Sequence, residues 1–448
     1  MNTLSCGGLK TLKSWFSDKF TYEYIEGTAR KTGFLKRKRK LDPVYLVYVL
    51  IFGISCHQLP SVEELHRRYV DFNDSPSNQK PIRNQSFRKW MNMRLVDFLR
   101  VLLDHYIEQM AVQSPARLKG TVQSFKDILI QDSSIIRISK KLYELHPAAR
   151  SRNNSAGLKI HAVYSAISHS VTSTTITSER VHDSKMLNIG PEVKDSLLLN
   201  DLGYYSLKSF AKIQEHGGFF ISRVKSNAIP EVCSIISAPS DFISIVDINC
   251  FTRIKLGDFL EKISKNGVYD LKCSFFIRKE KKIEHFQEFR VICHWNSLSK
   301  KWQLYMTNLP YEEFSPEDIY EIYRYRWVIE LIFKELKMDY DLGKMLLGNV
   351  PLAYIHIYSI MLRFIISRDL YCWIISSTDS NLKDKYTPLL WSKIFAEKGL
   401  EFLSILNQQY FGICFVERRW HKLERSLRQL AQNRQNRELI SLKFSSFQ

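Results

Sequence analysis

The chain has 448 residues, 45% of them hydrophobic and 25% charged, which leaves room for several domains and a sizeable core and excludes a disordered or fibrous protein. Sixty-five Lys and Arg against 46 Asp and Glu give a net charge of +19, an excess that calls for a polyanionic partner. Nucleic acid is favoured over a membrane, because the longest apolar run read in the sequence, Val44 to Cys56, has 13 residues against the ~20 of a bilayer span and fits a buried helix.

The opening MNTLSCGGLKTLKSWF lacks the apolar centre of a secretory signal, and the eight cysteines are scattered without CxxC or Cys/His zinc spacing, so a reduced, cytoplasmic setting is expected. Residues 1 to 118 are expected to be helical, with apolar periodicity through Val44 to Ile54 and Leu95 to Tyr106. This segment holds 19 Lys/Arg and 11 Asp/Glu. Its densest run is FLKRKRKLDP, where Lys36, Arg37, Lys38, Arg39 and Lys40 repel one another unless phosphates neutralise them. A second candidate DNA reader is NQSFRKWMNMR, in which Ser86 would cap a helix presenting Arg88, Lys89 and Arg94.

From Phe125 the texture changes to short strands. FKDILIQDSS predicts a buried strand over Ile128 to Ile130 that ends in Asp132, and LKIHAVYSAI and SVTSTTITSE predict an antiparallel continuation. After VHDSKMLN, the sequence predicts a strand over Leu197 to Leu199, a helix over Tyr204 to Glu215 and a strand over Phe219 to Val224, with Asp201 just past its strand end, as Asp132 is. Functional groups of mixed α/β sheets collect at such ends. The runs DFISIVDI, LKCSFFIRK and FRVICHW predict a mostly β insertion between about 227 and 300, followed by a strand over Trp302 to Asn308. A helix with Ser315 as N-cap then carries YRYRWVIELIFKELK. At ~100° per residue, Tyr323, Arg326, Glu330 and Lys337 share an arc of roughly 60° on an otherwise apolar helix. A merely solvated stripe would owe its stability to Arg326/Glu330 and Glu330/Lys334 pairs worth only ~0.2–0.5 kcal/mol each.

Two acids at strand ends and a third from a packed helix can hold two Mg²⁺ ions ~3.5–4 Å apart, with Mn²⁺ as a substitute, for phosphodiester chemistry. Arg326 and Lys337, with Lys334 and Tyr323 beside them, would hold the phosphate. The spacing Tyr323-x2-Arg326-x3-Glu330-x6-Lys337 resembles the Tyr-Arg-Glu-Lys signature of a group of bacterial insertion-sequence DDE transposases. QDSS around Asp132, NDLGYYSLKSF around Asp201, FFISRVKSN and YMTNLP are similar to that family too, so that the resemblance runs from about residue 30 to 345.

The resemblance implies an α/β fold with a ribonuclease-H-like core, and domains at 1–118 (helical, DNA-binding) and 119–345 (catalytic, interrupted by the β-rich insertion); beyond its reach, residues 346–448 are assigned only as a helical region. It implies catalytic, metal-binding Asp132, Asp201 and Glu330, double-stranded DNA of element ends and target as partner, and cut-and-paste transposition through a hairpin. A homodimer is the economical way to pair two ends. A domesticated DNA-binding protein and a nuclease without strand transfer are the alternatives, the first disfavoured by the intact acids. Trp302, or Trp295, is the candidate for stacking a flipped base, against an ordinary core tryptophan. His161 and the pair His182-Asp183 invite a metal or general-base reading, against which a structural role is favoured because two-metal phosphoryl transfer needs no histidine base. Lys225 is balanced between DNA backbone and plain surface.

Overall fold

The computed structural model describes residues 11–37, 41–53, 60–71, 81–113, 120–149, 155–167, 170–187, 189–239, 253–265, 267–279, 282–297, 299–343, 348–378, 386–412 and 416–431. DFISIVDI and the cations Lys38, Arg39 and Lys40 lie outside them.

The chain opens with α1 (Leu12–Lys19), α2 (Tyr22–Lys31), α3 (Pro43–Phe52), α4 (Val62–Asp71), α5 (Asn84–Trp90) and α6 (Met93–Gln113). In α3 all ten residues are buried, as the apolar run requires. Asp42 starts it: Oδ1 accepts from the Val44 and Tyr45 N–H groups at 2.9 and 3.0 Å, and Pro43 supplies the pre-set φ of the first turn. Ser86 does not cap α5. The helix has already begun at Asn84, because the Ser86 and Phe87 N–H groups both bond the Arg83 carbonyl, so Arg83 is the cap residue.

Among the described residues ten strands follow: β1 (Ile128–Ile138), β2 (Ala156–Ser165), β3 (Ser170–Ser178), β4 (Leu197–Asn200), β5 (Phe219–Arg223), β6 (Glu231–Ser237), β7 (Ile254–Lys255), β8 (Val268–Lys279), β9 (Lys282–Asn296) and β10 (Lys301–Thr307). Between them lie α7 (Leu207–Glu215) and α8 (Leu256–Lys262), and after them α9 (Pro316–Arg324) and α10 (Trp327–Met338). They form one mixed sheet in the order β3-β2-β1-β4-β5-β10-β9-β8-β6-β7, with β1, β4 and β5 parallel and β10 antiparallel to β5. The central β4, LLLN, is buried throughout, as a parallel strand covered on both faces must be. The segment from β6 to β9 includes α8, and its strands extend the sheet through β9–β10 pairing. The Arg290–Asp270 ion pair ties them in, its closest contact 2.7 Å, with further Arg290 bonds to the Leu309, Pro310 and Phe314 carbonyls.

The C-terminal helices are α11 (Val350–Ser376), α12 (Pro388–Glu397), α13 (Gly399–Tyr410) and α14 (Val416–Leu430). α11 is long and apolar enough to cross a membrane, yet 72% of its most apolar window is buried in the protein, against α6 and α3 among others. Residues 1–113, 135–158 and 333–438 form one compact unit, and residues 114–134 and 159–332 belong to another. Helices from the two ends of the chain share this unit, with Phe16 of α1 stacked at 5.0 Å on Trp420 of α14.

Candidate active site

Parallel pairing of β1 with β4 runs from Ile128–Leu197 to Gln131–Asn200, so Asp132 and Asp201 are the next residues of two neighbouring strands at one edge. Asp201 follows its strand end as expected and opens a 3-10 turn, Leu202–Tyr204, whose Tyr204 N–H bonds the Asp201 carbonyl at 2.9 Å. Asp132 does not end its strand. β1 continues to Ile138 beside β2 after β4 has stopped, so the acid stands within a strand whose partner on one side has gone.

The third acid arrives on a broken helix. Ser315 and Asp318 form a capping box, with Pro316 in the first turn, and start α9 where the sequence places it. The chain then tightens: Tyr325, Arg326 and Val328 N–H groups bond carbonyls three residues back, and α10 restarts at Trp327. Tyr323 and Glu330 thus lie on two helices, and the expected stripe along one continuous helix is interrupted between them. Arg326 sits at the break. Its guanidinium lies 3.7 Å from Asp132 Oδ2 and hydrogen-bonds Glu330, so one cation bridges two of the three acids. Burial pushes the Asp132 carboxyl up to about 6; the Ser133 N–H opposes this, Asp201 adds to it, Arg326 opposes it and Glu330 adds to it. Burial is the largest cause of this rise, and the charges of Asp201 and Glu330 add to it.

Tyr323 is buried, its hydroxyl donating to the Asn200 carbonyl at 3.3 Å and its ring against Tyr305. Here it docks α9 beside Asp201. Lys334 is exposed and Lys337 half-buried further along α10, where burial holds the Lys337 ammonium below its usual pKa. Of the N-terminal basic run, Lys36 and Arg37 are described and both are exposed.

Trp302 is not brought to the acids. On β10 it shares with Leu304 and Met306 the face packed with Phe210 of α7, whereas Tyr305 on the other face meets Tyr320 and Tyr323. Trp302 packs instead on Tyr269 and on Trp295, its register partner. The exposed tryptophan beside Arg326 is Trp327, at 54% exposure. Lys225 lies over the Tyr205 ring at 5.3 Å. His161 is buried between Tyr204 and Thr177 hydroxyls, and burial lowers its pKa to about 4. His182 accepts from its own turn, from the Ser184 N–H, but Asp183 reaches Ser133, the residue after Asp132, at 3.1 Å. Nothing in the sequence singles out Arg223. It ends β5 opposite Tyr305, exposed, and its charge lowers the hydroxyl pKa of Tyr305 and Tyr323 against the effect of burial.

Asp132 and Asp201 thus stand on neighbouring strands at one edge of a mixed sheet, and Arg326 joins Asp132 to Glu330. The profile described as transposase DDE domain matches residues 123–362, more than half the chain, and the chain belongs to that family. It is similar to the transposase for insertion sequence element IS231F of Bacillus thuringiensis subsp. israelensis, 24% identical over 72% of each chain. It is similar as well to that for IS1151 of Clostridium perfringens, 23% identical over 75% of each. Among solved structures, the cryo-EM piggyBac transposase synaptic complex with hairpin DNA matches with a TM-score of 0.44 and 11% identity, over 92% of this chain and 84% of that one. The protein is an insertion-sequence transposase, an enzyme that cleaves DNA and transfers the strand.

Enzymes of this family use divalent metal. Among the described residues no group of three or more His, Cys, Asp and Glu side chains stands close enough to hold an ion as folded here. The donor chemistry nevertheless fits a hard divalent cation, since all three acids offer carboxylate oxygens and Arg326 supplies the positive charge that two of them need.

Proposed function

We propose that Asp132, Asp201 and Glu330 form the catalytic centre of a ribonuclease-H-like core that cuts the terminal inverted repeats of its own element and joins the freed 3′ ends to target DNA. The observation that carries this reading is the bridging of Asp132 and Glu330 by Arg326 beside Asp201. Two Mg²⁺ ions on the three acids, replaceable by Mn²⁺, would supply the Lewis acidity that makes water, and later a 3′-hydroxyl, nucleophilic at neutral pH.

The chain's own residues do the rest. Arg326 exchanges its carboxylate partners for the oxygens of the scissile phosphate, which its planar fork matches in two parallel hydrogen bonds. Lys334 and Lys337 of the same helix, and Arg223 at the end of β5, add positive charge along the DNA strand, and Tyr323 holds α9 against the Asp201 edge. Lys36 to Lys40 bind backbone phosphates of the element end, and two copies of the chain pair two ends. For a hairpin route the stacking surface for a displaced base is Trp327, exposed next to Arg326, in place of Trp302.

The test is cleavage of a duplex carrying the element end. Asp132→Asn, Asp201→Asn and Glu330→Gln should each abolish cleavage in Mg²⁺ and in Mn²⁺ while leaving end binding within about twofold. Substantial cleavage by any one of them removes that acid from the centre.

A further inference from the structure

Asp132 is supported from behind. Side chains alternate along a strand, so Gln131 and Ser133 point to the face opposite Asp132. Both bond the same short turn, Asp183–Met186: Gln131 Nε2 donates to the Met186 carbonyl at 3.0 Å, and Ser133 Oγ donates to Asp183 Oδ1 at 3.1 Å. The Asp183 carboxylate is held in turn by Lys159 of β2, a buried ammonium whose Nζ donates to Asp183 Oδ1 at 3.0 Å and to the Val181 carbonyl at 2.9 Å. His161, two residues along β2, lies 3.6 Å from the same oxygen and shares a hydrogen bond of 2.9 Å with the Tyr204 hydroxyl.

The second carboxylate oxygen faces the other acid's turn. A Cβ on Gly203 would stand 2.9 Å from Asp183 Oδ2, so any side chain there would push on that carboxylate. Gly203 and Tyr204 belong to the turn that Asp201 opens. Asp183 therefore touches the residue one past Asp132 and the residue two past Asp201, while its charge is fixed from β2. Any displacement of it changes the separation of the two acid-bearing segments.

We propose that Asp183 is a positioning residue that sets the spacing of the Asp132 and Asp201 carboxylates and thereby their affinity for a divalent cation. The proposal rests on the reading of those two acids as metal ligands. Partners that orient metal ligands typically contribute 10–100-fold in metal affinity or activity.

The experiment measures Mn²⁺ binding to the purified full-length chain by titration calorimetry, alongside end-DNA affinity and the Mn²⁺ concentration giving half-maximal cleavage. The central variant is Asp183→Asn combined with Lys159→Met, which removes both charges so that neither is left buried alone. It should unfold cooperatively and bind end DNA as the parent does. Its Mn²⁺ dissociation constant should rise ~10-fold or more, with cleavage recovering at higher Mn²⁺. Gly203→Ala, which removes no charge and crowds Asp183, should shift the same constant in the same direction.

A folded double variant with parental Mn²⁺ affinity and half-maximal concentration overturns the proposal. If the double variant does not fold, Ser133→Ala, which deletes only the Oγ–Asp183 bond, faces the same two outcomes. Asp132→Asn separates this inference from the reading beneath it. If that variant loses Mn²⁺ binding and cleavage while the Asp183 variants are unchanged, only the positioning role falls. If it keeps both, the assignment of the acids falls as well.

Discussion

Asp270→Asn tests how strands β8 and β9 are fastened to the segment that leads into α9 and α10. Asp270 and Arg290 are both almost fully buried, with Arg290 Nε 3.0 and 3.1 Å from the two carboxylate oxygens and Nη2 2.7 Å from one of them. Breaking a buried pair from one side costs ~3–5 kcal/mol, because the remaining charge is stranded. In Asp270→Asn the stranded guanidinium keeps three backbone carbonyls, those of Leu309, Pro310 and Phe314, so the cost should fall at the lower end, about 3 kcal/mol. Arg290→Met strands the carboxylate and leaves those three carbonyls without their donor, which places it at the upper end, about 5 kcal/mol. Combining Arg290→Met with Asp270→Leu removes both charges but still leaves the carbonyls, so the double variant should remain destabilised by about 2–3 kcal/mol, well below the sum of the singles. Urea unfolding followed by circular dichroism at constant pH reads all three. A loss below about 1 kcal/mol for Asp270→Asn, or strict additivity in the double variant, would refute the claim that this pair anchors the 309–314 loop.

The two tryptophans should separate cleanly. Trp302→Ala should lower stability by about 3 kcal/mol and slow nicking and hairpin formation together, whereas Trp327→Ala should stay as stable as the parent and accumulate nicked ends at the expense of hairpin, read on a denaturing gel. A normal hairpin-to-nick ratio in Trp327→Ala would count against that route. His356 is buried on α11, and burial lowers its pKa to about 4, below the ~6.5 of an unfolded chain. As pH falls the unfolded state takes this proton first, so its contribution, up to roughly 3 kcal/mol, is complete above pH ~6.5 and is lost on the way down to pH ~4. His356→Met should flatten the urea midpoint against pH over that window, and an unchanged slope would assign the acid sensitivity elsewhere. Replacing Lys36, Arg37, Lys38, Arg39 and Lys40 by Gln should lower the salt slope of end binding by ~0.9 for each phosphate no longer neutralised, measured by fluorescence anisotropy across a salt series. A loss of sequence preference at constant slope would instead make the run a base reader. Asp42→Ala should cost α3 about 1–2 kcal/mol, because it removes the acceptor of two N–H groups and of the Tyr410 hydroxyl at 2.6 Å, visible as a lowered urea midpoint.

Several features are settled by local chemistry and so can be read along the chain. Pro43 behind Asp42, Ser315 before Pro316, and the apolar runs of α3 and β4 act within one or two turns of backbone, where composition and periodicity suffice. The order and spacing of Asp132, Asp201 and Glu330, which carry the family resemblance, are properties of the sequence itself. What periodicity cannot say is which distant segment an element will meet. A 3.6-residue repeat continued through Arg326 would keep Tyr323 and Glu330 on one stripe; hydrogen bonds three residues apart at Tyr325 and Arg326 end it, and Arg326 bridges Asp132 and Glu330 from that break. Trp302 lies in the expected strand, but the packing of that strand against α7 on one face and Tyr320 and Tyr323 on the other turns its side chain away from the acids. Asp183 stands out in VHDSKMLN only as half of the pair His182-Asp183, and it is the convergence of β1, β2 and the turn after β4 that gives its carboxylate three neighbours from far along the chain. Alternation and capping are set by a residue's immediate neighbours, whereas the partner across a sheet or behind a carboxylate is chosen by burial of the whole domain.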